Sequence, residues 1–359
     1  MPRSSRLFSL SLFTRAYQRN LKALARATRP ARVKAAAKPL LTLVNAATPK
    51  ARAPRKVPPG AGEWIGGIAP GPAGARRFHL HIPPGLALGE GEKLPLLVML
   101  HGCGQTGADL AASSRMNRIA ARERFLVLYP EQERIANAQG CWNWFSHRNG
   151  KAHAEAATLM AAVDQIARRH PVDLTRVAVA GLSAGACMAV LLAARYPERF
   201  CAVAMHSGVA PGTAESSAQA MAAMGGRREA LLPVPAPPVL GTGPAPAEGP
   251  MPLPALLVLH GDADGVVSPR NACATAELWA QALGAKAGAA RMQQRGKRHA
   301  TRLTEFKRQG RTVVALREIQ GLGHAWSGGT PSLPYSDPEG PDASALIWAF
   351  VARQFPPAP

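Results

Sequence analysis

From Glu63 onward the apolar positions fall into two alternating patterns. Leu96–Leu100, Phe125–Tyr129, Val177–Ala180, Cys201–Met205 and Leu256–Leu259 are unbroken apolar runs of four or five residues. They are too short for helices and show no polar face, as expected of strands covered on both sides of a parallel sheet. Trp64–Ala69 and Arg76–Ile82 also read as strands, the second alternating through Phe78, Leu80 and Ile82, and Thr312–Ile319 reads as the last strand. Between them lie helical stretches, roughly Leu110–Arg124, Ala154–Arg169, the run carrying Met188, Leu191 and Leu192, and a closing helix over Ala343–Val351. Strands alternating with helices predict an α/β chain with a mostly parallel, doubly wound sheet and flanking helices.

Two segments break this rhythm. Residues 211–254 form an excursion whose second half, Pro233–Pro254, is rich in Pro, Gly and Ala and too long for an ordinary connection, which predicts a surface excursion or lid. Residues 1–62 form an extension ahead of the folded body, 63–359. Here Leu10, Phe13, Tyr17, Leu21 and Leu24 are spaced three and four apart, with Arg15, Arg19, Lys22 and Arg26 on nearly the opposite face. The spacing fits a basic amphipathic helix able to lie on an anionic or apolar surface, and equally an extension whose periodicity is incidental. Pro30, Pro39, Pro49, Pro54, Pro58 and Pro59 break up the remainder of the extension, which reads as a linker.

The 359 residues carry a formal charge of +21, unevenly spread. Residues 1–62 hold 14 Lys/Arg and no Asp or Glu, which leaves +7 for the other 297; a second stretch, Arg291–Arg311, sets eight Lys/Arg against Glu305 alone. Basicity therefore belongs to two segments, and an anionic surface can be met by the tail without the folded body. The five cysteines fit poorly with a fully paired secreted framework. Leu7–Phe13 is short, broken by serines and followed by no clear small-residue cleavage site, and no stretch reaches the ~20 apolar residues of a membrane span. A soluble, cytoplasmic protein is expected. No Cys-x-x-Cys, histidine cluster, phosphate loop or dinucleotide fingerprint is present, so neither metal nor cofactor is expected, nor specific nucleic-acid recognition.

The candidate chemistry centres on Gly181-Leu182-Ser183-Ala184-Gly185, where an apolar strand turns at once into a small-residue helix. That is the pattern of a nucleophile elbow, in which strained backbone lifts the serine hydroxyl clear of the sheet. A serine needs a base, and the base an orienting partner, from loops at the carboxyl ends of other strands. Asp264, in the loop after Leu256–Leu259, and His324, after Thr312–Ile319, complete the chain order Ser, Asp, His of the α/β-hydrolase fold. Asp264 is preferred over Asp262 because Val266 and Val267 pack its loop from behind, which leaves Asp262 as a turn residue. His206 and His260, at strand ends, are read as structural hydrogen-bonders. The oxyanion donors are the N–H of Ala184 and, from the loop His101-Gly102-Cys103, that of Cys103. Trp142, Trp144 and Trp326 fall on loops at the same edge and are candidates to bind an aliphatic chain, or else to pack beneath those loops.

His101-Gly102-Cys103, the run Phe125–Gln132, Gly140–Phe145, Gly181–Ala186, His206-Ser207-Gly208, the run His260–Val267 and Gly323–Gly328 together resemble the polyhydroxybutyrate (PHB) depolymerase-like esterases, α/β-hydrolases with the type 1 depolymerase catalytic domain and with feruloyl and acetylxylan esterases among their relatives. The resemblance covers about Trp64 to the C-terminus. It implies hydrolysis of esters of short 3-hydroxyalkanoic acids, as polymer or oligomers, with Ser183 as nucleophile, His324 as base and Asp264 as its partner, and a Cys103–Cys141 bridge. A general carboxylesterase or a feruloyl or acetylxylan esterase is the alternative, and a granule- or nucleic-acid-binding protein acting through its tail is another. Many members are secreted and carry a polymer-binding domain; this sequence shows neither a clear signal nor such a domain, which favours an intracellular form acting on storage granules, with the extracellular role as the alternative.

Overall fold

The computed structural model describes residues 58–85, 91–235 and 252–356. The periodicity of residues 10–26 and most of the Pro-rich second half of the excursion, 236–251, lie outside the described residues.

Six parallel strands form the centre of one sheet, in the order β4 (Leu126–Pro130), β3 (Leu94–Leu100), β5 (Val172–Leu182), β6 (Ala202–His206), β7 (Ala255–Gly261) and β11 (Arg311–Ile319). Every residue of β3, β4, β6 and β7 is buried, as their unbroken apolar runs require of strands covered on both faces. At one edge β1 (Glu63–Ala69) and β2 (Arg76–Ile82) continue the sheet antiparallel beyond β4. At the other, β10 (Thr301–Arg308) pairs antiparallel with β11 and carries β8 (Lys286–Ala287) and β9 (Arg291–Gln293) on its outer side.

Helices α1 (Gly107–Ser114), α2 (Met116–Glu123) and α7 (Ala343–Ala352) cover one face, in a core shared with Leu97, Met99, Val127, Ala180 and Leu257. Helices α3 (Lys151–Arg169), α4 (Ala184–Arg195) and α6 (Arg270–Ala282) cover the other. All of α4 from Ala184 to Ala194 is buried, so its small residues let the helix press closely on β3, β5 and β6. This is the layered architecture of an α/β-hydrolase. The described part of the excursion holds only α5 (Ser217–Ala223).

The single helix expected over Leu110–Arg124 is two. Thr106 caps the first, exchanging hydrogen bonds with Asp109, and Arg115, at φ 57°, breaks the chain between them. No glycine or proline marks that joint, so residue type alone does not announce it. Strand β10 went unread for another reason: Thr301, Leu303 and Phe306 are buried, but the charged residues between them give the segment the look of a solvated run.

Candidate active site

Strand β5 ends at Leu182 and α4 begins at Ala184; Ser183 joins them at φ 56°, ψ −122°. The two glycines explain how so tight a turn is built. A Cβ on Gly181 would lie 2.3 Å from the carbonyl carbon of Gly185, and one on Gly185 would lie 2.1 Å from the Leu100 carbonyl oxygen. Strand and helix thus touch backbone to backbone, and Ser183 is left half-exposed at the carboxyl edge of the sheet. Its own N–H is tied to the His206 carbonyl at 2.9 Å.

Asp264 and His324 meet at the same edge. Asp264 Oδ2 lies 2.8 Å from His324 Nδ1 and 3.3 Å from His260 Nε2, while Oδ1 accepts the N–H groups of Val266 and Val267, each at 2.9 Å. The carboxylate side chain is fully buried. Burial alone would raise it, but the hydrogen bonds and charge of His260 and His324 outweigh that and hold it well below the usual carboxylate range. A fixed buried anion on Nδ1 turns Nε2 of His324 outward as the nitrogen able to take a proton. Among the described residues no hydrogen bond joins His324 to Ser183. One strand, β6, separates the two strands that end at Ser183 and before Asp264, roughly 10 Å at ordinary sheet spacing.

Asp262 does what a turn residue does: its Oδ1 accepts the Gly321 N–H at 2.7 Å and fixes the root of the His324 loop. The other two histidines support the site. His260 Nε2 bonds the Val267 carbonyl at 2.8 Å as well as facing Asp264. His206 accepts the Ser327 N–H at Nε2, meets Ser207 Oγ through Nδ1 and stacks on Trp326. Burial, with His260 and His324 nearby, pushes it down to about 3, so it is a neutral strut.

The loop after β3 passes beside the elbow. A Cβ on Gly102 would stand 3.5 Å from Ser183 Cβ, which places Cys103 one residue from contact with the serine. His101 steadies this loop: Nε2 accepts the Gln132 N–H at 3.0 Å. Cys103 is joined to Cys141 across 38 positions, tying the loop to the segment that holds Trp142. That segment is anchored in turn by Glu155. This fully buried carboxylate accepts from Gln132 Nε2 at 2.8 Å, Asn143 Nδ2 at 2.6 Å and Asn143 N at 2.9 Å, with Arg76 at 3.4 Å. Sequence reasoning passed over Glu155; its signal is a lone acid on an otherwise uncharged helix face. Ala184 opens α4, so its N–H belongs to the first turn, whose donors lack a partner within the helix.

The tryptophans pack beneath loops and offer no open aromatic face. Trp142 and Trp326 are 0% exposed and Trp144 8%. Trp142 donates to the His101 carbonyl at 3.0 Å and Trp326 to Ser344 Oγ at 3.3 Å, each satisfying its only polar atom inside the fold. The expectation that they form the walls of a substrate cleft is corrected accordingly. Among the described residues no cluster of three or more His, Cys, Asp or Glu side chains suits a metal ion, and no helix is long and apolar enough to cross a membrane.

Residues 76–299 match the family model described as Esterase PHB depolymerase, a span that includes Ser183 and Asp264 and ends short of His324. Poly(3-hydroxyalkanoate) depolymerase C of Paucimonas lemoignei is 37% identical over 129 residues, 36% of this chain and 30% of that protein. Feruloyl esterase B of Neurospora crassa is 33% identical over 134 residues, 37% of this chain and 44% of the relative. A probable acetylxylan esterase A of Neosartorya fischeri is 26% identical over 247 residues, 67% and 64% respectively. The chain thus spans less than two thirds of these relatives. An acetyl xylan esterase structure from Aspergillus awamori superposes with a TM-score of 0.58 at 18% identity, covering 81% of this chain and 98% of that one, a likeness of fold.

Proposed function

Because the chain belongs to the PHB depolymerase esterase family and is an ester-hydrolysing serine hydrolase of the α/β-hydrolase superfamily, we propose that Ser183, His324 and Asp264 cleave carboxylic esters through an acyl-enzyme, with short acyl or feruloyl groups on a polysaccharide as the substrate. The observation that carries this is the 2.8 Å contact of a buried, ionised Asp264 with His324 on the edge where Ser183 is held in strained backbone.

His324 Nε2 takes the Ser183 proton as Oγ attacks the ester carbonyl. The serine–imidazole bond tightens as substrate is held, as catalytic pairs often do. The oxyanion faces the N–H groups of Cys103 and Ala184, each worth about 3–4 kcal/mol to the transition state. The imidazolium then gives its proton to the leaving alcohol, and water, activated by the same nitrogen, releases the acid and restores Ser183.

A second reading, hydrolysis of a polyhydroxyalkanoate or its oligomers, is supported by the 37% identity to the depolymerase of Paucimonas lemoignei. Attachment of residues 1–62 to a polymer granule or anionic surface belongs to this second reading. The joined Cys103–Cys141 pair supports an oxidising place of work over the cytoplasm. The test is a panel of p-nitrophenyl acetate, acetylated xylan, feruloylated arabinoxylan and amorphous PHB. Acetate or ferulate release, abolished in Ser183→Ala, is expected. Release of 3-hydroxybutyrate alone would replace the first reading with the second, and undiminished turnover in Ser183→Ala would refute both.

A further inference from the structure

The basic stretch that the proposed chemistry does not use is a built surface. Its turn, residues 294–300, is pinned to the catalytic side of the molecule: the Gln320 N–H bonds the Ala300 carbonyl at 2.9 Å, and the His299 N–H bonds Glu339 at 2.9 Å. Gln320 opens the loop that carries His324. In the sheet, Arg302 pairs with Glu318 and Leu303 with Arg317, so both arginines stand within two residues, roughly 7 Å, of the end of β11 where that loop begins.

The positive charge here is cancelled only in part. Arg295 and Lys297 are exposed, and neither makes an ion pair among the described residues. On one face of the hairpin Arg291 pairs with Glu305 at 3.0 Å, while Arg317 donates to the neutral Gln293 at 3.0 Å. Burial lowers Arg317, and Arg291 and Arg353 lower it further against the single carboxylate of Glu305. Acids answer part of this charge, Glu305 on Arg291, Glu318 on Arg302 at 3.8 Å and Asp337 on His299 at 3.5 Å, while Arg295 and Lys297, in the turn beside the catalytic edge, are left unmatched among the described residues.

We propose that this strip is the docking surface for an acidic polysaccharide, a chain of carboxylate-bearing sugars whose ester groups it presents to Ser183. The proposal rests on the carbohydrate-ester reading above and names its substrate class. Arginine forks suit carboxylates, and a fixed array of cations beside a reactive edge raises the local concentration of a polyanion. A nucleic acid fits less well, because the strip exposes no Phe, Tyr or Trp on which bases could stack. A lipid surface fits less well again, because Met292 is its one exposed large apolar side chain.

The full chain and its Arg295→Glu/Lys297→Glu/Arg302→Gln variant are compared on an acetylated xylan bearing uronic acids, on the same polymer with its carboxyls reduced to alcohols, and on p-nitrophenyl acetate. Binding to ester-free polygalacturonate is measured alongside. The variant should lose about tenfold in kcat/KM on the acidic polymer, through KM, with the reduced polymer and the aryl ester unchanged. Its affinity for polygalacturonate should fall with it, and the wild-type preference for the acidic polymer should shrink as salt is added. Equal polygalacturonate affinity in the two proteins overturns the proposal, as does an equal loss on the neutral polymer. Duplex DNA bound more tightly than polygalacturonate, with no effect of the variant on KM, also overturns it. If neither polymer is cleaved while polygalacturonate binding still depends on these side chains, the carbohydrate-ester reading fails and the docking surface stands.

Discussion

Replacing Asp264 by Asn removes a charge and leaves the shape. The amide oxygen can still accept the Val266 and Val267 N–H groups at Oδ1, both 2.9 Å away, so the loop should hold. What disappears is the anion 2.8 Å from His324 Nδ1. When Nε2 takes the serine proton, an imidazolium forms beside that carboxylate. Two unit charges ~4 Å apart at an effective dielectric near 20 attract by about 4 kcal/mol. At ~1.4 kcal/mol per decade that is about a thousandfold in rate. An Asn that presents its NH2 to Nδ1 also favours the wrong tautomer, which brings the expected loss in kcat to ~10³–10⁴-fold, the upper figure being typical of this change in a Ser-His-Asp triad. Asp262→Asn is the matched control. Its oxygen still accepts the Gly321 N–H, and kcat should stay within about threefold, since surface changes of this kind move stability by only ~0.5 kcal/mol. Initial rates on p-nitrophenyl acetate, with thermal melts to show that both variants fold, decide it. An Asp264→Asn enzyme within tenfold of wild type, or an Asp262→Asn enzyme that falls as far, would refute the assignment.

Gly185→Ala should destabilise the fold by about 3 kcal/mol or prevent soluble expression, because the new methyl would stand 2.1 Å from the Leu100 carbonyl oxygen and 2.5 Å from that of His101, both backbone atoms. Urea titration measures it, and a shift under 1 kcal/mol would contradict the close approach. Reducing the Cys103–Cys141 bridge, which spans 38 positions, should cost about 4 kcal/mol of stability by chain entropy, seen as a lower urea midpoint, and should lower kcat more than it raises KM because the proposed oxyanion donor loosens. Acid should weaken the protein through His206, whose folded value of about 3 lies below its unfolded value near 6.5. The unfolded chain then binds the extra proton, so this contribution is complete above pH ~6.5 and falls by about 1.4 kcal/mol per unit as pH drops toward 3. A urea midpoint series from neutral pH downward checks it, and a His206→Gln variant should show a shallower slope.

The parts of the fold that could be read beforehand are those where one residue type answers to one physical need. Leu96–Leu100 is apolar throughout and became a strand buried on both faces. Gly181 and Gly185 are glycines because backbone meets backbone there, which is why the elbow was legible. The Asp264–His324 contact was reachable from loop order on a parallel sheet, since strand ends, once placed, bring those loops together. Glu155 was not reachable in that way. Its partners are Arg76 on β2 and Gln132 and Asn143, eleven positions apart in the connection between β4 and α3, and nothing in the local sequence says that they converge. The tryptophans stayed open between two roles for a related reason: an indole in a loop can face out or in, and Trp142 faces in, its N–H on the His101 carbonyl. In β10, charged side chains and an alternation that breaks after Leu303 hid the strand.

Asp264 and His324 touch across 60 positions, and the serine turn lies earlier still in the chain. Contacts of such long sequence separation assemble slowly, because the intervening chain must be closed before they form. The first strands, turns and helices can therefore be in place while the protein remains inert. Recovered turnover after dilution from denaturant should lag the recovery of helical signal, which makes catalysis the strictest gauge of whether the last strand of the main sheet, β11, has docked.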